Sequence, residues 1–112
     1  MGELTMQIPD PQPMDRFTVR VDRDLEDIVP EFLANRRKDL QTLRRALAEQ
    51  DFKTIQMLGH RMKGDGGGYG FDRITEIGGV MELAASRHDH ATLEQHTTEL
   101  EEFLRRLTVM YV

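Results

Sequence analysis

At 112 residues and 13.0 kDa, with 38% apolar and 31% charged residues, the chain has the size and composition of one domain with a single modest core. A net charge of −5 argues against a nonspecific grip on nucleic acid or an anionic membrane, and the lack of cysteine excludes disulfides and thiol chemistry. No apolar run approaches the ~20 residues that cross a bilayer, and the start lacks the basic and apolar regions of a signal peptide, so a soluble cytoplasmic protein is expected.

Residues 1–20 hold three of the four prolines, at Pro9, Pro11 and Pro13, and show no helical period. Proline fixes φ and drives the preceding residue out of the helical region, so this stretch reads as an extended or disordered lead-in. Phe17, Val19 and Val21 alternate with polar residues as a strand would. No second strand candidate offers itself, and an extended segment laid against the domain is expected.

Helical periodicity starts after Asp22, a suitable N-cap. Leu25, Ile28, Val29, Phe32 and Leu33 share a face, followed by Leu40, Leu43 and Leu47. Pro30 cannot donate to the carbonyl of Glu26, which predicts a short helix near 23–28 and a long one from about 30 to 49. Arg36, Arg37, Lys38, Arg44 and Arg45 are read as its solvated outer face. Asp51 is the next N-cap, opening a helix over about 52–67. A third helix covers about 71–86, with Phe71, Ile74, Ile77, Gly78, Met81 and Ala84 or Ala85 facing inward. Gly78 and Gly79 allow a close approach to the second helix. After Arg87-His88-Asp89, a last helix over about 90–107 buries Leu93, Thr97, Leu100, Phe103 or Leu104, and Leu107. Val109, Tyr111 and Val112 form an apolar tail. Four amphipathic helices joined by short turns bury their stripes against one another, so the expected fold is all-α, an antiparallel up-down four-helix bundle over 21–112 with a short extra N-terminal helix.

The anomaly is Gly59-His60-Arg61-Met62-Lys63-Gly64-Asp65-Gly66-Gly67-Gly68-Tyr69-Gly70, which holds six of the nine glycines. Each costs about 1 kcal/mol relative to alanine inside a helix. Phe52, Ile55, Gly59, Met62 and Gly66 form the inner stripe, which puts His60 about 120° away, pointing outward. Gly64 and Gly67 fall on its face, with Lys53, Gln56 and Met57 on the turns before it. Gly68 and Gly70 make the turn. No phosphate-loop spacing and no preceding strand exist, so nucleotide binding is not indicated. His88, His90 and His96 lack metal-ligand spacing and read as surface or boundary residues. A neutral imidazole is nucleophilic near physiological pH, a lysine one turn on can pair with an anion, and the bare glycines clear an approach. His60 is therefore the candidate nucleophile.

On His60-x-x-Lys63-Gly64, Gly70, Phe71 and the Ile74…Ile77-Gly78…Met81-Glu82 pattern, the sequence resembles the histidine-containing phosphotransfer (HPt) domain family over about 21–112. The resemblance implies a bundle phosphorylated on an exposed histidine, exchanging the group with aspartates of receiver domains in response regulators or hybrid histidine kinases. It implies a carrier rather than an enzyme, with no cofactor of its own, since the magnesium ion lies in the partner receiver. By position His60 matches the phosphorylated residue, Lys63 the phosphate-neighbouring lysine and Gly64 the small residue that permits docking. Glu82 matches a polar position that supports the imidazole in some relatives. Asp65 stands where serine or alanine is common, and the Gly66-Gly67-Gly68 run exceeds that of most relatives. Gly67, Met57 and Gln56 complete the expected docking surface of a free-standing monomer. The competing reading is a non-catalytic adaptor that binds a receiver or kinase without phosphotransfer.

Overall fold

The computed structural model describes residues 17–112, so the lead-in expected over residues 1–20 falls, up to Arg16, outside the described residues. The elements are strand β1 (Phe17–Val21), a 3-10 turn (Arg23–Leu25), helix α1 (Val29–Ala48), helix α2 (Phe52–Asp65), a second 3-10 turn (Gly67–Tyr69), helix α3 (Asp72–Ser86), helix α4 (His90–Arg106) and strand β2 (Leu107–Tyr111). The domain is thus built on four helices, as the periodicity predicts.

The ends differ from expectation. Phe17–Val21 does pair, in parallel, with the segment read as an apolar tail: Phe17 is opposite Leu107 and Val21 opposite Tyr111. Parallel strands need a long crossover, and here all four helices form it. The ladder continues past both strands, through Val112 N–H to the Val21 carbonyl (2.9 Å) and Arg23 N–H to the Val112 carbonyl (3.1 Å). Val19, Val21, Leu107, Val109 and Tyr111 turn toward the helices, while Thr18, Arg20, Thr108 and Met110 face out. The extra N-terminal helix is reduced to the three-residue 3-10 turn, capped by Asp22. Ile28, expected inside, is 47% exposed. Pro30 sits in the first turn of α1, where its missing N–H would have no partner anyway.

The two turns that join α1 to α2 and α3 to α4 have the same construction. Gln50 (φ 56°) and His88 (φ 55°) adopt left-handed conformations. Asp51 N–H then returns to the Ala46 carbonyl at 2.8 Å, and Asp89 N–H to the Ala84 carbonyl at 2.9 Å, closing each helix C-terminus. Both aspartates cap the next helix as expected, accepting from Thr54 and Thr92 through the backbone N–H and the hydroxyl. Those hydrogen bonds hold both carboxyls below the ordinary aspartate range. A lowered folded-state pKa gives stability that is complete above the unfolded value, near 4, and lost as pH falls through the folded one. Asp51→Asn with Asp89→Asn keeps capping competence but removes the titration. The double variant should therefore lose less stability than the wild type in thermal melts taken across the acid range.

Arg36 corrects the expected outer face of α1. It is 7% exposed. Its Nε lies 3.0 Å from Asp39 and its Nη1 3.8 Å from Asp65, with the guanidinium carbon 4.9 Å from the centre of the Phe32 ring. Arg36 follows Phe32 by four residues and Leu33 by three, so the stripe itself carries it inward. Burial is the largest influence on Asp39 and raises its pKa despite the arginine.

The seam between α2 and α3 positions the site. Gly59 meets Gly78 and Glu82, Lys63 meets Gly78, and Gly66 meets Thr75, so contacts advance along α2 as they retreat along α3. A Cβ on Gly59 would lie 2.7 Å from the Glu82 nitrogen, and one on Gly78 would lie 2.6 Å from the Lys63 nitrogen. Only bare backbone permits that approach. Ile55, Leu58, Met62, Ile74, Ile77 and Met81 fill the seam beside it.

Candidate functional site

Met62 and Gly59 turn one side of α2 into the core, and that fixes the opposite side as surface. His60 stands there with 70% of its side chain exposed. The close approach of the helices brings Glu82 of α3 beside it. Glu82 Oε2 lies 2.8 Å from His60 Nδ1, and its Oε1 lies 2.8 Å from Lys63 Nζ. One carboxylate thus joins two α2 side chains that stand one turn apart. Its hydrogen bonds to Lys63 and then to His60 lower its pKa, which keeps it ionised.

An ionised carboxylate only accepts hydrogen bonds. The proton in the 2.8 Å contact therefore belongs to Nδ1 of His60. In the neutral ring this places the lone pair on Nε2, the nitrogen farther from the helix. The arrangement yields an exposed imidazole of fixed tautomer beside a lysine. Lys63, expected to await an incoming anion, is already engaged by Glu82.

The glycines separate. A Cβ on Gly64 would meet nothing within 4 Å, so the surface one turn beyond His60 is open. Gly67 does not share that face. Helix α2 stops at Asp65, two residues short of the expected end, and a Cβ on Gly67 would face Thr75 and Asp72 at the start of α3. Gly66 packs inward, and Gly70 (φ 90°) makes the left-handed turn against Val21. Asp65, the departure at the site's edge, is directed to Arg36 rather than to His60.

Two open grooves flank Glu82. Lys53, Thr54, Gln56, Met57 and His60 line one with it; Gln56, Lys63, Gly79, Leu83 and Ser86 line the other. Met57 and Gln56 are placed beside His60, as expected, and Met57 is 58% exposed. Lys53 lines the groove beside His60, on the face its spacing predicts, whereas Leu83 is a residue that helical spacing alone does not mark. Leu83 is an apolar residue off the inner stripe, 51% exposed, next to Glu82; that misplacement was its available signal. Gly79 underlies the Lys63 stem, 3.4 Å from where its Cβ would be. His96 lies apart, bonded to the Thr92 carbonyl at 3.0 Å, and His88 stacks on Phe52 with ring centres 4.4 Å apart. Among the described residues no helix is long and apolar enough to cross a membrane.

Helices packed closely enough for a carboxylate on one to orient a surface histidine on the next define a helical domain whose chemistry sits on its exterior. The Hpt domain model matches residues 27–108, and the chain belongs to that family. Hpt domains are phosphotransfer modules of phosphorelays, carriers of the group rather than enzymes in their own right. No curated protein and no solved structure matches the chain significantly.

Proposed function

We propose that this chain is a histidine phosphotransfer protein that accepts a phosphoryl group on Nε2 of His60 and passes it on, exchanging it with receiver-domain aspartates. The observation that carries the reading is the 2.8 Å contact between Nδ1 of the exposed His60 ring and Glu82, which in the neutral imidazole puts the lone pair on Nε2. Attack by Nε2 on an aspartyl phosphate forms the N–P bond as the P–O bond breaks, with the electron pair leaving on the aspartate carboxylate. Lys63 offsets charge on the transferred group after sharing or giving up Glu82. Receivers supply the magnesium ion and the remaining polar groups around phosphorus.

Gly64 gives the receiver room, and Met57 with Leu83 supplies the apolar part of a small, transient interface centred on Gln56 and Glu82. Gly67 acts at its edge, through the turn into α3. The contact order along α2 and α3 supports the antiparallel up-down bundle as the frame. A monomer working in the cytoplasm fits this chemistry, because the site must stay open to mobile partners.

Incubation with phosphorylated receivers and histidine kinases of the source organism tests the reading. The wild-type chain should acquire acid-labile, base-stable phosphate. Binding of those partners without any transfer of label would favour the adaptor instead.

A further inference from the structure

We propose that the groove between α1 and α4 is a second docking site, which takes an acidic amphipathic helix of a partner protein and leaves His60 free. Helix α2 packs against α1 and α3, and α4 packs against the same two, so the α1/α4 seam lies across the bundle from the α2/α3 seam that carries His60. The groove there has a volume of about 480 Å³. Arg37, Leu40 and Arg44 line it from α1, and Glu101, Leu104 and Arg105 line it from α4. The chain as a whole carries −5, yet residues 36–45 hold five basic side chains against the single acid Asp39. Arg36 turns inward, while Arg37, Lys38, Arg44 and Arg45 are exposed. An ordinary solvated face interleaves charges of both signs. Here the nearest acids come from α4: Glu101 bonds Arg44 across the seam, and Glu102 is shared by Arg105 and Arg106. Arg37, Arg44, Arg105 and Arg106 thus meet only two carboxylates, and positive charge is in excess. The floor between these walls is apolar, with Leu104 buried and Leu40 half-buried.

Arginine walls over a leucine floor select the occupant. Nucleic acid would bring charge to the arginines but nothing to cover the leucines, and the net charge of the chain repels its backbone. A wholly apolar helix would cover the leucines but strip water from guanidinium groups and give them no partner. An acidic amphipathic helix meets both demands. Because the walls are themselves helices, another helix lying along the groove packs ridges into grooves. Its apolar stripe then rests on Leu40 and Leu104, and its flanking carboxylates face Arg37 on one wall and Arg105 on the other. Arg37 and Arg44 stand two turns apart on α1, about 10 Å, so acids two turns apart on the partner come into register with them. A partner held here keeps the domain close at hand without covering the histidine.

The probe is a synthetic helical peptide about four turns long, with Leu on one face, Glu along both flanks and Ala on the outside. Titrated into the isotope-labelled full chain, it should shift the amide NMR signals of Arg37, Leu40, Arg44, Leu104 and Arg105 and leave those of Gln56, Met57 and His60 in place. Arg37→Glu with Arg105→Glu changes two exposed side chains and keeps the Arg44–Glu101 pair. This double variant should bind about tenfold more weakly while melting near the wild-type temperature, and raising the salt from about 0.05 M to about 0.5 M should weaken wild-type binding comparably. With the groove saturated, loading of His60 by phosphoramidate, a small phosphoryl donor that needs no receiver, should run at the rate of the free protein. The proposal is overturned by no saturable binding, by shifts confined to α2 and α3, or by blocked loading. Equal binding by the double variant, or by the peptide with Lys in place of Glu, would overturn it too. Self-association of the chain alone, lost in the double variant, would give the groove to a second copy and sink the proposal as well. None of these outcomes depends on whether receivers label His60, so the phosphotransfer reading stands or falls separately.

Discussion

His60→Gln is expected to abolish phosphoryl uptake from every phosphorylated receiver or kinase that labels the wild type, with the fold unchanged. The loss should be complete rather than graded, because glutamine offers an amide nitrogen whose lone pair is delocalised and cannot form the N–P bond. The side chain is 70% exposed and packs into no core position, so its replacement removes no buried surface. Glutamine also keeps a donor that can reach Glu82 and spares the carboxylate a lost partner. Stability should stay within about 0.5 kcal/mol of wild type by thermal melt. Retained labelling of His60→Gln would move the acceptor elsewhere, and His90 or His96 would then need testing. A melt lowered by several degrees would instead show that His60 has a structural share that its exposure does not indicate.

The sequence carried most of the frame because helices leave a local record. Asp51 and Asp89 announce two helix starts, the stripes from Ile55 to Met62 and from Ile74 to Met81 announce which faces turn inward, and the outward placement of His60 follows by arithmetic. Where the outcome depends on a residue far along the chain, the record fails. Phe17–Val21 looks like an unpaired strand until Leu107–Tyr111 lies beside it, and that partner was hidden because Leu107 also satisfies the helical period of α4. Residue type puts Arg36 outside, while its place after Phe32 and Leu33 points inward; its partner Asp65, 3.8 Å away, comes from another helix. Gly67 leaves the His60 face because α2 ends at Asp65, two residues before its periodicity suggests, and helix ends are the least legible feature of any helix. At the site, the place of Lys63 one turn after His60 is legible but its engagement by Glu82 is not, since that bond exists only once α2 and α3 meet.

Gly78→Ala should be among the most damaging single-methyl changes in this domain, while Gly64→Ala should stabilise it. Both positions are helical, and alanine favours a helix by about 1 kcal/mol over glycine, so propensity alone predicts the same gain at each. Packing separates them. A Cβ at Gly78 would lie 2.6 Å from the Lys63 nitrogen, 2.7 Å from the Gly59 carbonyl oxygen and 2.9 Å from the Met62 Cβ. Two of these three are backbone atoms of α2, which no rotamer change can move aside. The helices must separate, and overpacking of this kind costs about 1–3 kcal/mol, with rigid backbone on both sides favouring the upper end. The net loss after the propensity gain is about 2 kcal/mol, or roughly 10 °C in melting temperature for a domain of this size. Gly64 has nothing within 4 Å of its missing Cβ, so the full gain is available and the melt should rise by roughly 3–6 °C. The two variants should also part in function. Separating α2 from α3 draws Glu82 away from His60 and Lys63, so Gly78→Ala should slow phosphoryl uptake even under conditions where it remains folded. Alanine at 64 leaves that contact intact, so loading by a small phosphoryl donor should match the wild type, while uptake from a receiver should slow because the methyl enters the space that the receiver would occupy. If Gly78→Ala melts at or above the wild-type temperature, the close seam between α2 and α3 is not what holds the carboxylate against the histidine.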